Sequence, residues 1–133
     1  MTSLTPGQVA DIAGVSVDTV RRWTDRGELA TQRLANGHRT IDGADLARFL
    51  VDRAAAEGAD TSTHGLSARN RFRGIVTRVQ RDGVAATVEI QSGPHRVVSL
   101  ITAEAVDDLG LAPGVLADAA VKSTDVLVER ARP

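Results

Sequence analysis

The spacing of apolar residues along the chain changes once, near residue 67. This change limits the folds that the chain can adopt. Residues 4–54 carry apolar side chains at helical spacing around a short hairpin signal, whereas from Ser67 onward apolar and polar residues alternate. Small and polar residues at 55–66 have the composition of a flexible linker. A chain of 133 residues can hold two compact units of roughly 60 residues each. The sequence therefore predicts an α+β protein of two domains, 1–54 and 67–133, joined by a linker over 55–66.

Local signals in the first half predict helix, helix, hairpin and helix. Thr5 is placed to cap a helix that starts at Pro6, and Ser16 and Asp42 are placed to cap the second and third helices. The dipeptide at 36–37, Asn-Gly, lies between two short extended runs, which is a strong hairpin signal. Apolar residues Val9, Ala10, Ile12 and Ala13 are predicted to form the buried face of the first helix.

The second half predicts five short strands and one short helix. The helix is expected over Ala103–Leu109 with Thr102 as its cap. Such a set of elements is typical of a small, partly closed β-barrel of the OB-like kind. The predicted strands are Gly74–Gln80, Ala85–Gln91, His95–Thr102, Val115–Lys122 and Val126–Arg130.

Composition excludes several classes of function. The chain has no cysteine, which rules out disulfides and thiolate chemistry. Neither a catalytic Ser-His-Asp order, nor a phosphate-binding glycine loop, nor a set of side-chain metal ligands stands out, so we expect no enzyme and no directly coordinated metal. The sequence has no apolar run of the roughly 20 residues that span a bilayer. Its start lacks the pattern of a signal peptide, so we expect a cytoplasmic protein without membrane contact.

Residues 8–23 carry the pattern of two helices joined by a tight turn. Ala10 lets the helices approach, Gly14 permits the turn, and Val20 and Trp23 are spaced to pack inward. With the following hairpin as a wing, this stretch resembles the MerR-type and excisionase-type winged helix-turn-helix, although it lacks the long dimerisation helix of full MerR regulators. The resemblance implies binding to double-stranded DNA, with the second helix in the major groove. The residues it implies are Ser16, Val17, Asp18, Thr19, Arg21 and Arg22 of that helix, and Arg33, His38 and Arg39 of the wing. A protein-interaction module is the alternative.

The second half opens on Ser-Ala-Arg-Asn at 67–70 and ends on Val-Lys-Ser-Thr-Asp at 121–125. With the intervening segments, it resembles the TOBE domains, and specifically the molbindins. The resemblance implies binding of molybdate or tungstate at an interface between copies, hence a homo-oligomer that is at least a dimer; a hexamer is also compatible. The residues it implies are Ser67, Arg69, Thr102, Lys122 and Ser123, with backbone groups of Ala68 and Val121. This chain has Ala105 where relatives often have Ser, so one hydroxyl is lost, which Thr124 or water could replace.

The chemistry of the anion agrees with these residue types. Molybdate is a tetrahedral dianion, which needs hydrogen-bond donors in fixed directions and positive charge. Lys122 is the only lysine among 16 basic residues, and Thr102 begins a helix whose N-terminal end favours an anion. Each residue also has an ordinary explanation. Ser67 and Asn70 could cap the barrel, Lys122 could be a strand-end charge, and the arginines at 69, 71 and 73 could form a solvated face.

Two functions follow from the combined patterns. The first is a transcriptional regulator whose DNA binding responds to molybdate or tungstate. The second is an intracellular molybdate store or buffer with an accessory helical head.

Overall fold

A computed structural model describes residues 2–58 and 65–132 of the protein. The chain divides into two compact units, Met1–Thr61 and Ser62–Pro133. Each unit has its own cluster of buried apolar side chains. Residues 59–64 of the expected linker lie outside the described residues, so its flexibility stays a prediction.

The N-terminal unit combines helices with a small antiparallel sheet. The sheet has the strand order β1-β3-β2. Strand β3 pairs with β1 through Leu4 and Ile41, and with β2 through Arg33 and Arg39. The elements are β1 (Ser3–Leu4), α1 (Pro6–Ala13), α2 (Val17–Asp25), β2 (Gln32–Arg33), β3 (Arg39–Asp42) and α3 (Gly43–Ala56).

The three predicted helix caps are confirmed. Thr5 and Gln8 form a reciprocal capping box, in which each side chain accepts from the other residue's backbone N–H. The Ser16 hydroxyl accepts from the backbone N–H of Thr19 at 3.1 Å. The Asp42 carboxylate accepts from the backbone N–H of Ala44 at 2.7 Å. These bonds satisfy N–H groups that a helix leaves without partners in its first turn.

Packing in this unit follows the predicted inward positions with one correction. Val9, Val20 and Trp23 are buried together with Ile41. Ile12, expected on the buried face, is 57% exposed, because the face of α1 that packs on the core is the one that carries Val9 and Ala10.

Helix α3 runs further than the sequence predicts. It continues to Ala56, two residues into the expected linker. Three successive alanines at 54–56 explain this, since alanine has the best helix propensity of all residues.

The C-terminal unit is an antiparallel sheet of four strands with one short helix. Its strand order is β6-β5-β4-β7. The predicted cap of the helix is confirmed, because the Thr102 hydroxyl accepts from the backbone N–H of Ala105 at 3.0 Å. The elements are β4 (Asn70–Asp82), β5 (Ala85–Ser92), β6 (His95–Thr102), α4 (Ala103–Leu109) and β7 (Leu116–Val121).

Strand β4 is much longer than predicted, and it pairs with two other strands. Its first half pairs with β7, from Asn70↔Val121 to Ile75↔Leu116. Its second half pairs with β5, from Ile75↔Gln91 to Asp82↔Ala85. The change of partner falls near Gly74, where an added Cβ would lie 2.3 Å from the carbonyl oxygen of Gln91. Glycine at this position therefore permits the close approach of two backbones.

The prediction of a fifth strand at Val126–Arg130 is wrong, since this segment forms no strand within a single chain. A 3-10 turn over Ser123–Asp125 follows β7, and residues 126–132 have no regular secondary structure. Leu127 and Val128 are 94% and 91% exposed. The segment has the composition of a strand, but a strand also needs a hydrogen-bonding partner, and none of the described residues provides one.

The two edge strands of this sheet face a common cavity of about 420 Å³. Val97, Val98 and Ile101 line it from β6, and Leu116 and Ala119 line it from β7. Since β6 and β7 are the two edges, the sheet must curl until these edges face each other. Among the residues described, neither edge has a second strand partner.

Candidate functional site

The start of β4 and the end of β7 bring most of the predicted oxyanion-binding residues together. Asn70 pairs with Val121, and the Asn70 side-chain amide donates to the carbonyl oxygen of Val121 at 3.1 Å. The segment 67–69 enters this pair and the segment 122–123 leaves it. Six of the seven predicted residues therefore lie at one end of the sheet: Ser67, Ala68, Arg69, Val121, Lys122 and Ser123.

At this end of the sheet, the side chains of Arg69 and Lys122 differ in how far they are already hydrogen-bonded. The Arg69 guanidinium folds back on its own loop, donating to the carbonyl oxygens of Ser67 at 3.2 Å and Leu66 at 3.4 Å. Lys122 is exposed and directly precedes the 3-10 turn. Ala68 is buried, which fixes the loop between Ser67 and Arg69. Lys122 thus has the geometry of a point charge available to a ligand.

Thr102 lies elsewhere in the same protomer. It ends β6 and pairs with Ala85, next to the last residue pair of β4 and β5. Asn70 and Asp82 are the two ends of β4, whose register with β5 shifts between Val76 and Arg78. One chain therefore places the two parts of the predicted site at opposite ends of β4. Thr124, considered as a substitute for the hydroxyl missing at Ala105, belongs to the Lys122 end.

The start of α4 is less available to an anion than the sequence suggests. The backbone N–H of Ala103 donates to the carbonyl oxygen of Val84 at 2.9 Å, and that of Ala105 donates to Thr102. Glu104, in the first turn, adds a negative charge. Thr102 can still donate its own hydroxyl proton, so its side chain is the better candidate ligand at this end.

The arginines at 71 and 73 do not form a simple solvated face. Both meet Asp118 on the adjacent strand, at 3.6 Å and 3.1 Å respectively. The hydrogen bond from Arg73, with the charges of both guanidinium groups, holds the pKa of Asp118 below its usual value. This cluster ties β4 to β7 beside the predicted site.

In the N-terminal unit, α2, the β2–β3 hairpin and the start of α1 enclose a groove of about 650 Å³. The groove brings together four residues predicted to bind DNA: Val17, Arg21, His38 and Arg39. It does not include Ser16, Asp18, Thr19, Arg22 or Arg33, which are on the exposed surface or half-buried beside it. Thr24, Asp25, Leu34 and Asn36 also line it. Sequence reasoning missed these four because they follow no periodic pattern.

The exposed start of α2 is organised by side-chain hydrogen bonds. The hydroxyl oxygens of Ser16 and Thr19 lie 2.9 Å apart, and Arg22 donates to the Thr19 hydroxyl at 3.1 Å. Asp18 and Arg21 approach to 3.5 Å. The polar residues predicted for DNA binding at Ser16 to Arg22 are therefore linked to one another along the cap and the first two turns of the helix.

Comparison with known proteins assigns the C-terminal unit. A family model described as "TOBE domain" matches residues 66–128. Molybdenum-pterin-binding protein 3 of Clostridium pasteurianum is 38% identical over 64 residues, which cover 47% of this chain and 94% of that protein. The chain belongs to the TOBE family. Molybdenum-pterin-binding protein 2 of the same organism matches the TOBE domain over the same share of both chains at 36% identity.

Further comparisons extend beyond the TOBE domain. A model described as "MerR family regulatory protein" matches residues 5–41, so a MerR-family region precedes the TOBE domain. Molybdenum transport protein ModE of Herbaspirillum seropedicae is 32% identical over 99 residues, 74% of this chain and 37% of that protein. These names describe binding, transport and regulatory proteins rather than enzymes.

Solved structures similar to the TOBE domain include a molybdate binding protein from Sporomusa ovata. It shares 31% identity, with coverage of 49% of this chain and 97% of that chain and a TM-score of 0.48. The cytoplasmic molybdate-binding protein ModG with molybdate bound has 38% identity, covers 47% of each chain and has a TM-score of 0.43.

Two kinds of feature are absent from the part of the chain that the structure describes. Residues 2–58 and 65–132 contain no group of three or more His, Asp or Glu side chains placed to hold a metal ion. The helices in these same ranges include none that is long and apolar enough to cross a membrane.

Proposed function

We propose that the protein is a transcriptional regulator whose binding to double-stranded DNA responds to molybdate or tungstate. The observation that carries the proposal is the presence of a MerR-family region and a TOBE domain in one chain. The relatives of the TOBE domain are named for binding molybdenum-pterin, and ModE is named as a molybdenum transport protein. We also propose a cytoplasmic location, which agrees with the description of ModG as a cytoplasmic protein.

The N-terminal unit is proposed to act as a winged helix-turn-helix. Gly14 turns the chain between α1 and α2, and the β2–β3 hairpin follows them. The groove between α2 and this hairpin carries Arg21, His38 and Arg39. Helix α2 would enter the major groove with Val17, Asp18 and Thr19 towards the base edges. Ser16, Arg22 and Arg33 would contact the phosphate backbone.

The TOBE domain is proposed to bind the oxyanion between copies of the chain. Ser67, Arg69, Lys122 and Ser123 lie at one end of β4, with backbone groups of Ala68 and Val121, and Thr102 lies at the other. A second copy can then place its own Thr102 against the first copy's Lys122. The curled sheet leaves the β6 and β7 edges open and exposes Leu127 and Val128, and exposed apolar groups of this kind favour association. We therefore propose a homo-oligomer, at least a dimer.

Storage of molybdate is the second candidate. It is favoured by the clostridial relatives, since 94% of each of these proteins is matched by the TOBE domain without the MerR-family region. A store would bind oxyanion without changing its affinity for DNA.

Two titrations on the full-length protein separate these functions. Isothermal calorimetry with sodium molybdate, and with sulfate as the control, measures the affinity and the number of anions per chain. Fluorescence anisotropy then measures binding to a duplex that the protein has selected from a random library, with and without molybdate. A regulator binds molybdate in excess sulfate and changes its DNA affinity. Unchanged DNA affinity identifies a store, and failure to bind molybdate contradicts both functions.

A further inference from the structure

The β2–β3 hairpin is fastened to the C-terminal end of α2 by one guanidinium group. Arg39, the first residue of β3, donates from Nη1 to the Asp25 carboxylate at 2.8 Å and to the Thr24 hydroxyl at 3.3 Å. The Thr24 hydroxyl donates in turn to the carbonyl oxygen of Arg21 at 2.9 Å. Asp25 is the last residue of α2, so the contact joins the helix end directly to the hairpin.

Without the contact to Arg39, the negative charge of Asp25 would be unfavourable for two reasons. A carboxylate at the C-terminal end of a helix meets the negative end of the helix dipole. Asp25 also lines the groove proposed to face DNA, where it would repel phosphate groups. The positive charge of Arg39 offsets both unfavourable effects, so the ion pair explains how an acidic residue is tolerated at this position.

Apart from the contact at Arg39, strand β2 and the turn of the hairpin make few interactions with the rest of the unit. Two residue pairs join β2 to β3, Gln32↔Thr40 and Arg33↔Arg39. Further bonds run from the Leu34 N–H to the His38 carbonyl oxygen at 2.8 Å and from the Thr40 hydroxyl to the Gln32 carbonyl oxygen at 3.5 Å. Every residue from 32 to 38 is exposed. Strand β3 is also held by its pairing with β1 and by the buried Ile41, whereas no residue of β2 or of the turn is buried. The angle of β2 and the turn to α2 therefore depends strongly on the contact at Arg39.

We propose that Arg39, Asp25 and Thr24 form a wing latch that sets the width of the groove between α2 and the hairpin. Arg39 then acts as a positioning residue, whereas the resemblance implies that it binds DNA itself. The proposal rests on the proposed DNA-binding function, and it deepens that function by assigning the geometry of the DNA-facing groove to these three side chains.

The first test measures DNA binding by Asp25→Asn, Arg39→Gln and the double variant across a series of salt concentrations. The probe is the duplex selected by the wild-type protein. We expect each single variant to bind about 3- to 10-fold more weakly, since an exposed ion pair of this kind contributes only a modest free energy. The double variant should bind no more weakly than either single variant. The salt dependence should match that of the wild type, because no phosphate contact is lost.

Two variants serve as matched controls. Glu28→Gln removes an exposed acidic charge just beyond α2 and should leave binding equal or tighter. Arg33→Gln removes a charge directly opposite Arg39 in the hairpin. Loss of this phosphate contact should make the negative slope of log K against log salt less steep by about one. The wing latch is overturned if Asp25→Asn binds DNA as tightly as the wild type or more tightly. It is also overturned if Arg39→Gln makes the salt dependence less steep, as Arg33→Gln does.

The second test needs no DNA. Amide hydrogen exchange at Leu34, whose N–H is bonded to His38, reports opening of the hairpin. We expect exchange at least about 5-fold faster in Asp25→Asn and Arg39→Gln than in Arg33→Gln, because the first two release the hairpin from α2. Unchanged exchange overturns the wing latch. Faster exchange in a protein that binds no DNA supports the latch and refutes only the DNA-binding function.

Discussion

At the scale of single residues, Lys122 is the side chain whose position best suits a ligand charge. It is exposed at the end of β7, beside the loop that holds Arg69. The Arg69 guanidinium is partly engaged by backbone carbonyl oxygens, so Lys122 is the more available of these two cations.

Lys122→Ala should weaken molybdate binding at least about 10-fold while the fold is retained, since a charge-assisted hydrogen bond to the dianion is lost. Calorimetric titration measures the loss, and circular dichroism checks the fold. Arg78→Ala, which removes an exposed cation from another part of β4, is the control. Equal affinity in Lys122→Ala and Arg78→Ala would remove Lys122 from the site.

The Asp118 carboxylate should make the TOBE domain sensitive to acid. Its pKa is lowered in the folded protein, first by the hydrogen bond from Arg73 and then by the charges of Arg73 and Arg71. The resulting stabilisation is fully present above the ordinary pKa of 3.8 and is lost as pH falls through the lowered pKa of the folded state.

Asp118→Asn should therefore lower the thermal unfolding midpoint at pH 7, and the difference from the wild type should shrink as pH falls below about 4. Asp108→Asn, on the exposed face of α4, is the matched control. A difference that stays constant with pH would show that Asp118 acts by packing rather than by charge.

Residue roles were predictable from the sequence when they depend on near neighbours. The caps Thr5, Ser16 and Asp42 bond to groups two or three residues away, so their local patterns suffice. The contact between Asp25 and Arg39 joins residues 14 positions apart, and the pair of Arg73 and Asp118 joins residues 45 positions apart. No periodic pattern indicates such pairs, because they depend on how the elements pack.

At the scale of elements, β4 shows how tertiary pairing overrides local signals. The sequence predicts its start at Gly74, since Arg71 and Arg73 have no clear apolar alternation around them. Pairing with β7 nevertheless extends the strand to Asn70. The opposite error occurs at Val126–Arg130, where a suitable composition has no partner strand in the same chain. The sequence was enough to predict that a strand exists near Gly74. The length of that strand depends on partner strands that are distant in sequence.

Gly74→Ala should destabilise the TOBE domain by about 3 kcal/mol, because the new methyl group would collide with the Gln91 backbone and force β4 away from β5. Denaturant unfolding followed by circular dichroism measures this. Trp23 lies in the other unit, so its fluorescence reports that unit separately.

Gly83→Ala is the matched control in the same domain. An added Cβ at Gly83 meets no atom within 4 Å, although its φ of +62° is strained for alanine. Its cost should be only about 1 kcal/mol. Equal destabilisation by the two variants would show that the close approach at Gly74 is unimportant.

At the scale of the whole molecule, the position of the predicted site residues argues for assembly. The sequence resemblance implied a site shared between copies, and the strand register places Thr102 and Lys122 beside different ends of β4. What could not be predicted is which surface joins the copies, because that depends on side chains exposed only after folding, such as Leu127 and Val128.

Leu127→Asp should reduce both the size of the oligomer and its affinity for molybdate, because a charge at this apolar position disfavours burial against a second copy. Sedimentation velocity measures the mass, and calorimetry measures the affinity. Ala112→Asp, in the exposed loop after α4, is the control. An unchanged mass together with full molybdate binding would place the interface elsewhere.

The separation of Lys122 from Thr102 along β4 has a consequence for how a cell would use the protein. A site completed only by a second copy exists in proportion to the assembled fraction, so its abundance depends on the amount of protein as well as on the anion. The response threshold of the proposed regulator would then be set by expression level, and such a regulator would adjust its own sensitivity if it controlled its own gene. Doubling the gene dose should shift the molybdate concentration at which target genes respond.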